Sequence, residues 1–305
     1  MRKFILIDGN SLLHRAYHAY PALTTPKGEL INAVYGFSAM LLTILEKLAP
    51  THVAVAWDVK GPTFRKVEYA EYKANRGPMD DDLVSQIDRT KQVVETLNIP
   101  QFGIEGYEGD DIIGTLSRLA TDEDDEKDTQ VVIVTGDKDS LQLIKGKQIV
   151  VYLPIQNRAS QAVVFDEQKL EEVYGLKPRQ IVDLKSLMGD ASDNIPGVKG
   201  IGKVTATKLI KEYGSLKGVY ESLDKGQVSP KTKSLLVEQK EMAEQSHHLA
   251  EINQEAPIKI NWEDCLLTNY DKSKATKLFE ELNFKSLILR LPKDHWEKET
   301  EDIFL

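Results

Sequence analysis

Three short apolar runs in this chain each end on an acid. Lys3 to Ile7 (KFILI) runs into Asp8, and Val53 to Trp57 (VAVAW) runs into Asp58. Val131 to Val134 (VVIV) leads to Thr135-Gly136-Asp137-Lys138-Asp139. Apolar runs this short, rich in β-branched residues, read as strands buried on both faces. Helical patterns lie between them: from about Ser11, from Ala33 to Leu48, from Leu83 to Leu97 and from Ile112 to Ala120. Alternating strands and helices specify an α/β fold with a mainly parallel central sheet flanked by helices. Ligands of such sheets gather outside the C-terminal strand ends. The same pattern that fixes the fold class therefore brings the acids to one edge.

Other segments complete the outline. Ile99 to Ile104 reads as a short strand, and a helix begins near Ser140. Ile149 to Leu153 and Ala162 to Phe165 read as strands joined by a turn, and Tyr174 to Ser186 as a helix. After a break at Tyr213-Gly214-Ser215, a helix from Ser229-Pro230 is expected to run toward Ile252. A short strand at Ile258 to Trp262, a last helix at Lys274 to Leu282 and an apolar stretch at Phe284 to Leu291 follow. The charged tail from Lys293 to Leu305 is expected to be loose. The expected division is an α/β core at 1–186, a helical subdomain at 187–291 and a charged tail at 292–305.

The acids carry the chemistry. Glu108, Asp110 and Asp111 crowd the start of the helix that leads to the third strand. Acids cap helix N-termini, but three in four positions exceed what capping requires. Asp190 and Asp193 stand three apart and share a face if that stretch is helical. With Asp8, Asp58, Asp137 and Asp139, up to nine carboxylates fall at successive element boundaries. Taken singly, each reads equally as a cap or turn residue. Together, without cations, they would repel and raise one another's pKa. An oxygen-only set without cysteine or histidine favours Mg²⁺ or Mn²⁺ over zinc. Two such ions about 3.5–4 Å apart suit in-line phosphodiester hydrolysis.

Two stretches suit a nucleic acid despite a net charge of −9. Pro196 to Gly202 (PGVKGIG) places three glycines before an apolar helical pattern, so a phosphate can approach backbone amides at a helix start. From Gly197 to Lys211 there are four lysines, Lys199, Lys203, Lys208 and Lys211, and no acid. Lys60 to Pro78 interleaves Phe64, Arg65, Lys66, Tyr69, Tyr72, Lys73 and Arg76. Cations there can follow phosphates while rings stack on bases; an ordinary amphipathic surface helix is the alternative. The acidic run Asp122 to Asp128 reads as a solvated loop, and the lone Cys265 as a small buried hydrophobe. His14, His247, His248, Trp262 and Trp296 call for no chemistry. A single cysteine and the lack of a signal or membrane segment point to the cytoplasm.

Five ordered motifs then resemble a known family: LIDGNSLLHRAYHA, WDVKGPTFRKVEYAEYKANR, EGYEGDDIIGTL, VTGDKDSLQL and MGDASDNIPGVKGIG. Over roughly Lys3 to Leu291 the chain is similar to the 5′ nuclease (5′–3′ exonuclease) domains of bacterial DNA polymerase I, in the flap endonuclease superfamily. The resemblance implies a PIN-like core, a helical arch at about 60–85 and a helix-two-turn-helix element around a helix-hairpin-helix turn. It assigns Asp8, Asp58, Glu108, Asp110 and Asp111 to a tighter metal position, and Asp137, Asp139, Asp190 and Asp193 to a second. Lys73 and Arg76 match catalytic basic residues of the arch. Tyr72 matches a base-stacking aromatic, and Arg15 and Arg65 match DNA contacts near the cut. Gly197, Lys199, Gly200, Gly202 and Lys203 match the turn that grips duplex DNA, where K⁺ can bind. The family's acid and basic pair after this turn is replaced by Lys203 and Val204, and its usual alanine by Gly109. The implied activity is metal-dependent cleavage of DNA at 5′ flaps and 5′ ends, as in primer removal and repair. A DNA polymerase is the implied partner, in trans or as the remainder of a longer chain. A non-catalytic DNA-binding scaffold and a PIN-type ribonuclease are the alternative readings.

Overall fold

The computed structural model describes residues 2–122, 128–154, 162–225 and 228–297. Its sheet is ordered β3-β2-β1-β4-β5-β6, with β1 Arg2–Asp8, β2 His52–Ala56, β3 Gln101–Phe102, β4 Thr129–Val134, β5 Ile149–Leu153 and β6 Val163–Phe165. Neighbours from β3 through β5 pair in parallel, and β6 runs antiparallel to β5. Ile5 sits opposite both Val53 and Val132, so the three acid-terminated strands end at one edge.

Side chains alternate across the sheet and build two cores. On one face Phe4, Leu6, Ala54, Ile133 and Val151 pack with Ile112, Ile113 and Leu116 of α6 (Gly109–Asp122). The same core takes in the C-terminal helices α7 (Glu167–Tyr174), α8 (Gln180–Met188), α9 (Lys203–Tyr213), α10 (Leu216–Glu221), α11 (Pro230–Glu238) and α12 (Lys240–Ala250). On the other face Ile5, Ile7, Val53, Val55 and Val134 pack with α1 (Gly9–Ala19), α2 (Asn32–Leu48) and α5 (Ile87–Thr96). Phe4, Ile5 and Ile7 are fully buried, each contributing about 1.5–3 kcal/mol of transfer free energy. That is why continuous rather than alternating apolar runs mark these strands.

Several expectations are corrected. The 83–97 pattern is split into α4 (Asp81–Val84) and α5. The 174–186 helix is two helices, broken where Gly175 turns left-handed at φ 63°. The helix from Ser229 likewise divides at Gln239 into α11 and α12. Near Ser140 the chain forms a short 3₁₀ turn, Asp139–Leu143. No strand forms at 258–262 among the described residues. The approach to it runs along α6, where Asn253 and Ala256 donate their amides to Asp111 and Thr115 side chains. Helices α13 (Lys272–Glu281) and α14 (Lys285–Ile288) fall in the expected helical subdomain, yet Phe279, Phe284 and Leu287 pack on the α2 and α5 side of the sheet. Tail residues up to 297 include a Lys272–Glu297 ion pair at 2.7 Å. The turn between β5 and β6 and most of the 122–128 run lie outside the described residues.

The arch is not one helix. Within 60–85 the chain forms α3 (Phe64–Glu68), a run of turns and α4. Tyr72 is buried and Lys73 takes a left-handed φ of 52°. The Lys73 amide donates to Asp193 O at 2.9 Å instead of to a helical carbonyl.

Candidate active site

Each strand end delivers its acid in a defined orientation. Asp8 is the last residue of β1 and caps α1, accepting from Ser11 N at 2.9 Å, while Thr135 Oγ1 donates to its other oxygen at 2.7 Å. Beyond β2, Asp58 accepts from Gly109 N at 2.7 Å and so tethers the start of α6. Its own amide donates to Asn10 Oδ1 at 3.0 Å. After β4, the Asp139 amide donates to Asp137 Oδ1 at 2.9 Å. Asp8, Asp58, Glu108, Asp110, Asp137, Asp139 and Asp190 line one cavity of about 1190 Å³, together with Arg15, Lys73, Arg76 and Lys185.

Burial and mutual repulsion strain the charge of this set. Asp8 is pushed up to about 6, chiefly by burial and then by Asp58 and Asp137, against its bonds from Ser11 and Thr135. Asp110 is raised well above the usual carboxylate range by burial, Asp137 and Asp8. Asp139 rises to about 6 through burial and Asp137, with Lys185 pulling the other way. Asp190 is held down near 2, because bonds from Lys185 and Ser192 outweigh its burial.

Side-chain cations partly offset these charges. Lys185 Nζ bridges Asp139 Oδ1 and Asp190 Oδ2. Lys73 Nζ lies 2.9 Å from Glu108 Oε2, and Arg76 Nη2 lies 2.5 Å from Asp193 Oδ1. Among the described residues no three acids converge on one ligation point. The donor chemistry nonetheless fits hard divalent ions: buried, mutually repelling carboxylates, all oxygen, on one wall.

Asp190 and Asp193 do not share a helical face. Asp190 and Ile195 exchange backbone hydrogen bonds of 2.9 and 2.8 Å, and Asn194 turns left-handed at φ 55°. The tight loop aims Asp190 at Lys185 and Asp193 at Arg76.

Arg65, Asp111 and Tyr72 depart from their expected roles. Asp111 is fully buried, and its carboxylate accepts from Arg65 Nη1 and Nη2, from Glu108 N and from Asn253 N. A carboxylate offers about four lone-pair sites, so none is left for a metal. Arg65 is buried too, and its hydrogen bonds go to Asp111 and to the Leu249 and Glu251 carbonyls. Tyr72 donates to Glu108 Oε2 at 3.0 Å and is too buried to present its ring to a base. By contrast Arg15 lines the cavity and makes no ion pair among the described residues.

The hairpin turn joins α8 to α9. Gly197 turns left-handed at φ 62°, and its amide donates to Ser246 Oγ at 3.0 Å. The Lys199 amide donates to Gln239 Oε1 at 2.8 Å. These two amides are spent within the protein and do not face a phosphate. The amides of Gly200, Gly202 and Lys203 have no partner among the described residues.

Sequence reasoning missed Lys185, Asn10, Thr135 and His14, which orient the acids or line the cavity. Lys185 carried a usable signal, since it stands five residues before Asp190 on a helix ending at Met188. His14 carried none, because only the docking of α1 beside the strand ends turns it inward. His247 and His248 pair with Asp183 at 3.6 Å and Glu68 at 2.7 Å, away from the cavity.

Residues 3–175 match the family model of the 5′–3′ exonuclease N-terminal resolvase-like domain, and residues 176–273 that of its C-terminal SAM fold. DNA polymerase I of Caldicellulosiruptor bescii is 41% identical over 289 residues, which cover 95% of this chain and 33% of that protein. DNA polymerase I of Bacillus subtilis is 39% identical over 302 residues, covering 98% and 33%. The chain thus spans about a third of the curated relatives it matches. Among solved structures, the T5 D15 protein co-crystallised with metal ions aligns with TM-score 0.65 at 18% identity, covering 95% of this chain and 97% of that one. The catalytic core of Rad2 in complex with DNA substrate aligns with TM-score 0.60 at 14% identity, covering 95% and 92%. At such identities the two structures speak for the fold. No described helix is long and apolar enough to cross a membrane. With both of its domain models matched in order over residues 3–273, the chain belongs to the 5′–3′ exonuclease family of nucleases.

Proposed function

We propose that the chain is a structure-specific 5′ nuclease that hydrolyses DNA phosphodiesters at 5′ flaps and 5′ ends with the help of two divalent ions, Mg²⁺ or Mn²⁺. The observation that carries this reading is one cavity in which acids from the ends of β1, β2 and β4 and the start of α6 face Lys73, Arg76 and Arg15. Asp8, Asp58, Glu108 and Asp110 would hold one ion, and Asp137, Asp139, Asp190 and Asp193 the other. When bound, the ions supply a hydroxide near neutral pH and spread charge on the scissile phosphate. The chain's own groups do the rest. Lys73 and Arg76, drawn from the acids that now hold them, stabilise the charge that develops on the phosphate. Arg15 meets a neighbouring phosphate. The free amides of Gly200, Gly202 and Lys203 hold the duplex by its backbone, and the same turn would hold a K⁺ ion, which would supply positive charge toward the duplex phosphates.

Solved relatives of the same fold include a T5 flap endonuclease complex with DNA and metal ions and Rad2 with DNA substrate, which supports DNA as the substrate class. The curated relatives are DNA polymerases three times the length of this chain, which supports a polymerase acting beside it, on another chain or on the same one. The test is cleavage of a 5′-labelled flap duplex in Mg²⁺ and in EDTA, with D137A/D139A as control. Cleavage that persists in EDTA or in the double variant would overturn the reading.

A further inference from the structure

The end of α12 is held by residues from both halves of the acid wall. Arg65 donates from Nε to Leu249 O at 3.0 Å and from Nη2 to Glu251 O at 2.6 Å. Its other Nη donors go to Asp111 Oδ2 at 2.8 Å and Oδ1 at 2.7 Å. Nη1 also lies 3.5 Å from Glu108 Oε2, an ion-pair contact. A guanidinium has five N–H donors in a fixed fork, and here four of them are hydrogen-bonded inside the protein. The terminal carbonyls of a helix lack intrahelical partners and sit at its negative end, so a buried cation there is favourable. On the other side Gln142, just past Asp139, donates to Ala250 O at 3.1 Å and accepts from Ile252 N at 2.9 Å. Farther up the same helix, Ser246 holds the hairpin through Gly197.

We propose that Arg65 and Asp111 are a positioning pair: together they fix Glu108 on the cavity wall and lock the foot of the arch segment to the end of α12, and neither touches DNA or metal. Four Arg65 donors and the lone pairs of Asp111 are taken inside the protein, and both side chains are buried, so neither is open to an external ligand. Glu108 is gripped twice, by its amide on Asp111 Oδ2 at 3.0 Å and by its carboxylate beside Arg65. The arrangement also gives a route from grip to cut. The hairpin is bonded to α12, α12 to Arg65 on α3 of the arch segment, and Arg65 to Asp111, whose carboxylate holds the Glu108 amide.

This inference rests on the metal-nuclease reading, and the experiment separates the two. Mn²⁺ binding is titrated calorimetrically on wild type, Arg65→Lys and Asp111→Asn. Alongside it are measured flap-duplex affinity in EDTA, kcat and KM, and the melting temperature. Lysine keeps the charge without the fork. Loss of such an outer support weakens metal binding by about 10–100-fold, so R65K and D111N are expected to bind Mn²⁺ about tenfold or more weaker. kcat falls in both, while KM and metal-free DNA affinity stay within about twofold. The double variant loses no more than either single one, because the two residues act as a unit. A wild type that binds no Mn²⁺ overturns the functional reading itself. If wild type binds and R65K loses metal-free DNA affinity with Mn²⁺ binding intact, Arg65 is a substrate contact and the pair is refuted. A lowered melting temperature with unchanged Mn²⁺ binding and kcat refutes it as well. Should R65K fail to fold, D111N, whose amide oxygen still accepts one Arg65 bond, carries the same measurements.

Discussion

Lys73 Nζ lies 2.9 Å from Glu108 Oε2, joining a residue of the arch segment to an acid at the foot of α6. Both residues line the cavity, and Lys73 takes a left-handed φ of 52°. Burial alone would lower the lysine's pKa, but Glu108 and Asp193 overcome it and raise it, so the group stays charged. A charge held there is available to a phosphate only when the segment moves off the acids. Lys73→Met should therefore cut kcat by about 10²–10³-fold, the usual loss of one charge-stabilising donor. Single-turnover cleavage with DNA affinity measured in parallel checks this; a rate near wild type would remove Lys73 from the reaction.

The acid wall makes metal-free stability depend on pH with a definite sign. Asp8 and Asp139 rise from 3.8 to about 6 in the folded chain. Their contribution is therefore fully present below pH about 4 and is lost as pH climbs through about 6. Asp190, lowered to about 2, works the other way: its contribution is present above pH about 4 and lost toward 2. In EDTA, Asp139→Asn should gain stability relative to wild type between pH about 4 and 6. The gain should reach on the order of 2 kcal/mol and level off above pH about 7. Melting temperatures across that range decide the matter, and a difference that shrinks with rising pH would contradict the assignment. Saturating Mg²⁺ should reverse the ranking, because wild type alone keeps the ligand.

Gly197 and Gly202 should respond in opposite ways to one added methyl. At Gly197, φ is 62° and a Cβ would lie 2.1 Å from Gly189 N. At Gly202, φ is −91° and nothing lies within 4 Å. Gly197→Ala should lower stability by more than about 1 kcal/mol from backbone strain alone and weaken duplex binding. Gly202→Ala should leave stability within about 0.5 kcal/mol. Denaturant midpoints of the two variants give the comparison, and equal losses would be inconsistent with the turn described.

Lys203 is exposed at the start of α9, beside the unpartnered amides of the turn. If it meets one phosphate, Lys203→Ala should reduce the dependence of log Kd on log salt by about 1. Duplex binding at several salt concentrations in EDTA measures this, and an unchanged slope would place the duplex elsewhere. Asp139→Asn should leave the slope unaltered.

Much of this was legible in the chain itself. Runs such as KFILID and VVIVTGD state a buried strand and its terminal acid together, because a strand's apolar length and its end are both local properties. Local pattern failed where a side chain's partner is remote. Asp110 and Asp111 are adjacent in sequence, yet one faces the cavity and the other pairs with Arg65. Helical geometry turns neighbours about 100° apart, and only the approach of α3 and α12 says which of the two becomes a buried ion pair. The arch segment misled for the same reason: its basic and aromatic residues suit a surface helix or a DNA strand equally well, and Asp193 and Glu108 draw them inward instead.

The amino-acid order by itself thus determined the parallel α/β core, the edge where the acids gather and the family, since hydrophobic periodicity and motif spacing are written along the chain. Only the tertiary structure decided the assignments within the site. It gave Asp111 to Arg65, Asp190 to Lys185 and Asp193 to Arg76, and it narrowed the hairpin's free amides to the stretch beyond Lys199. A buried charge must be satisfied by whichever opposite charge packing brings within reach, and that neighbour comes from elsewhere in the chain.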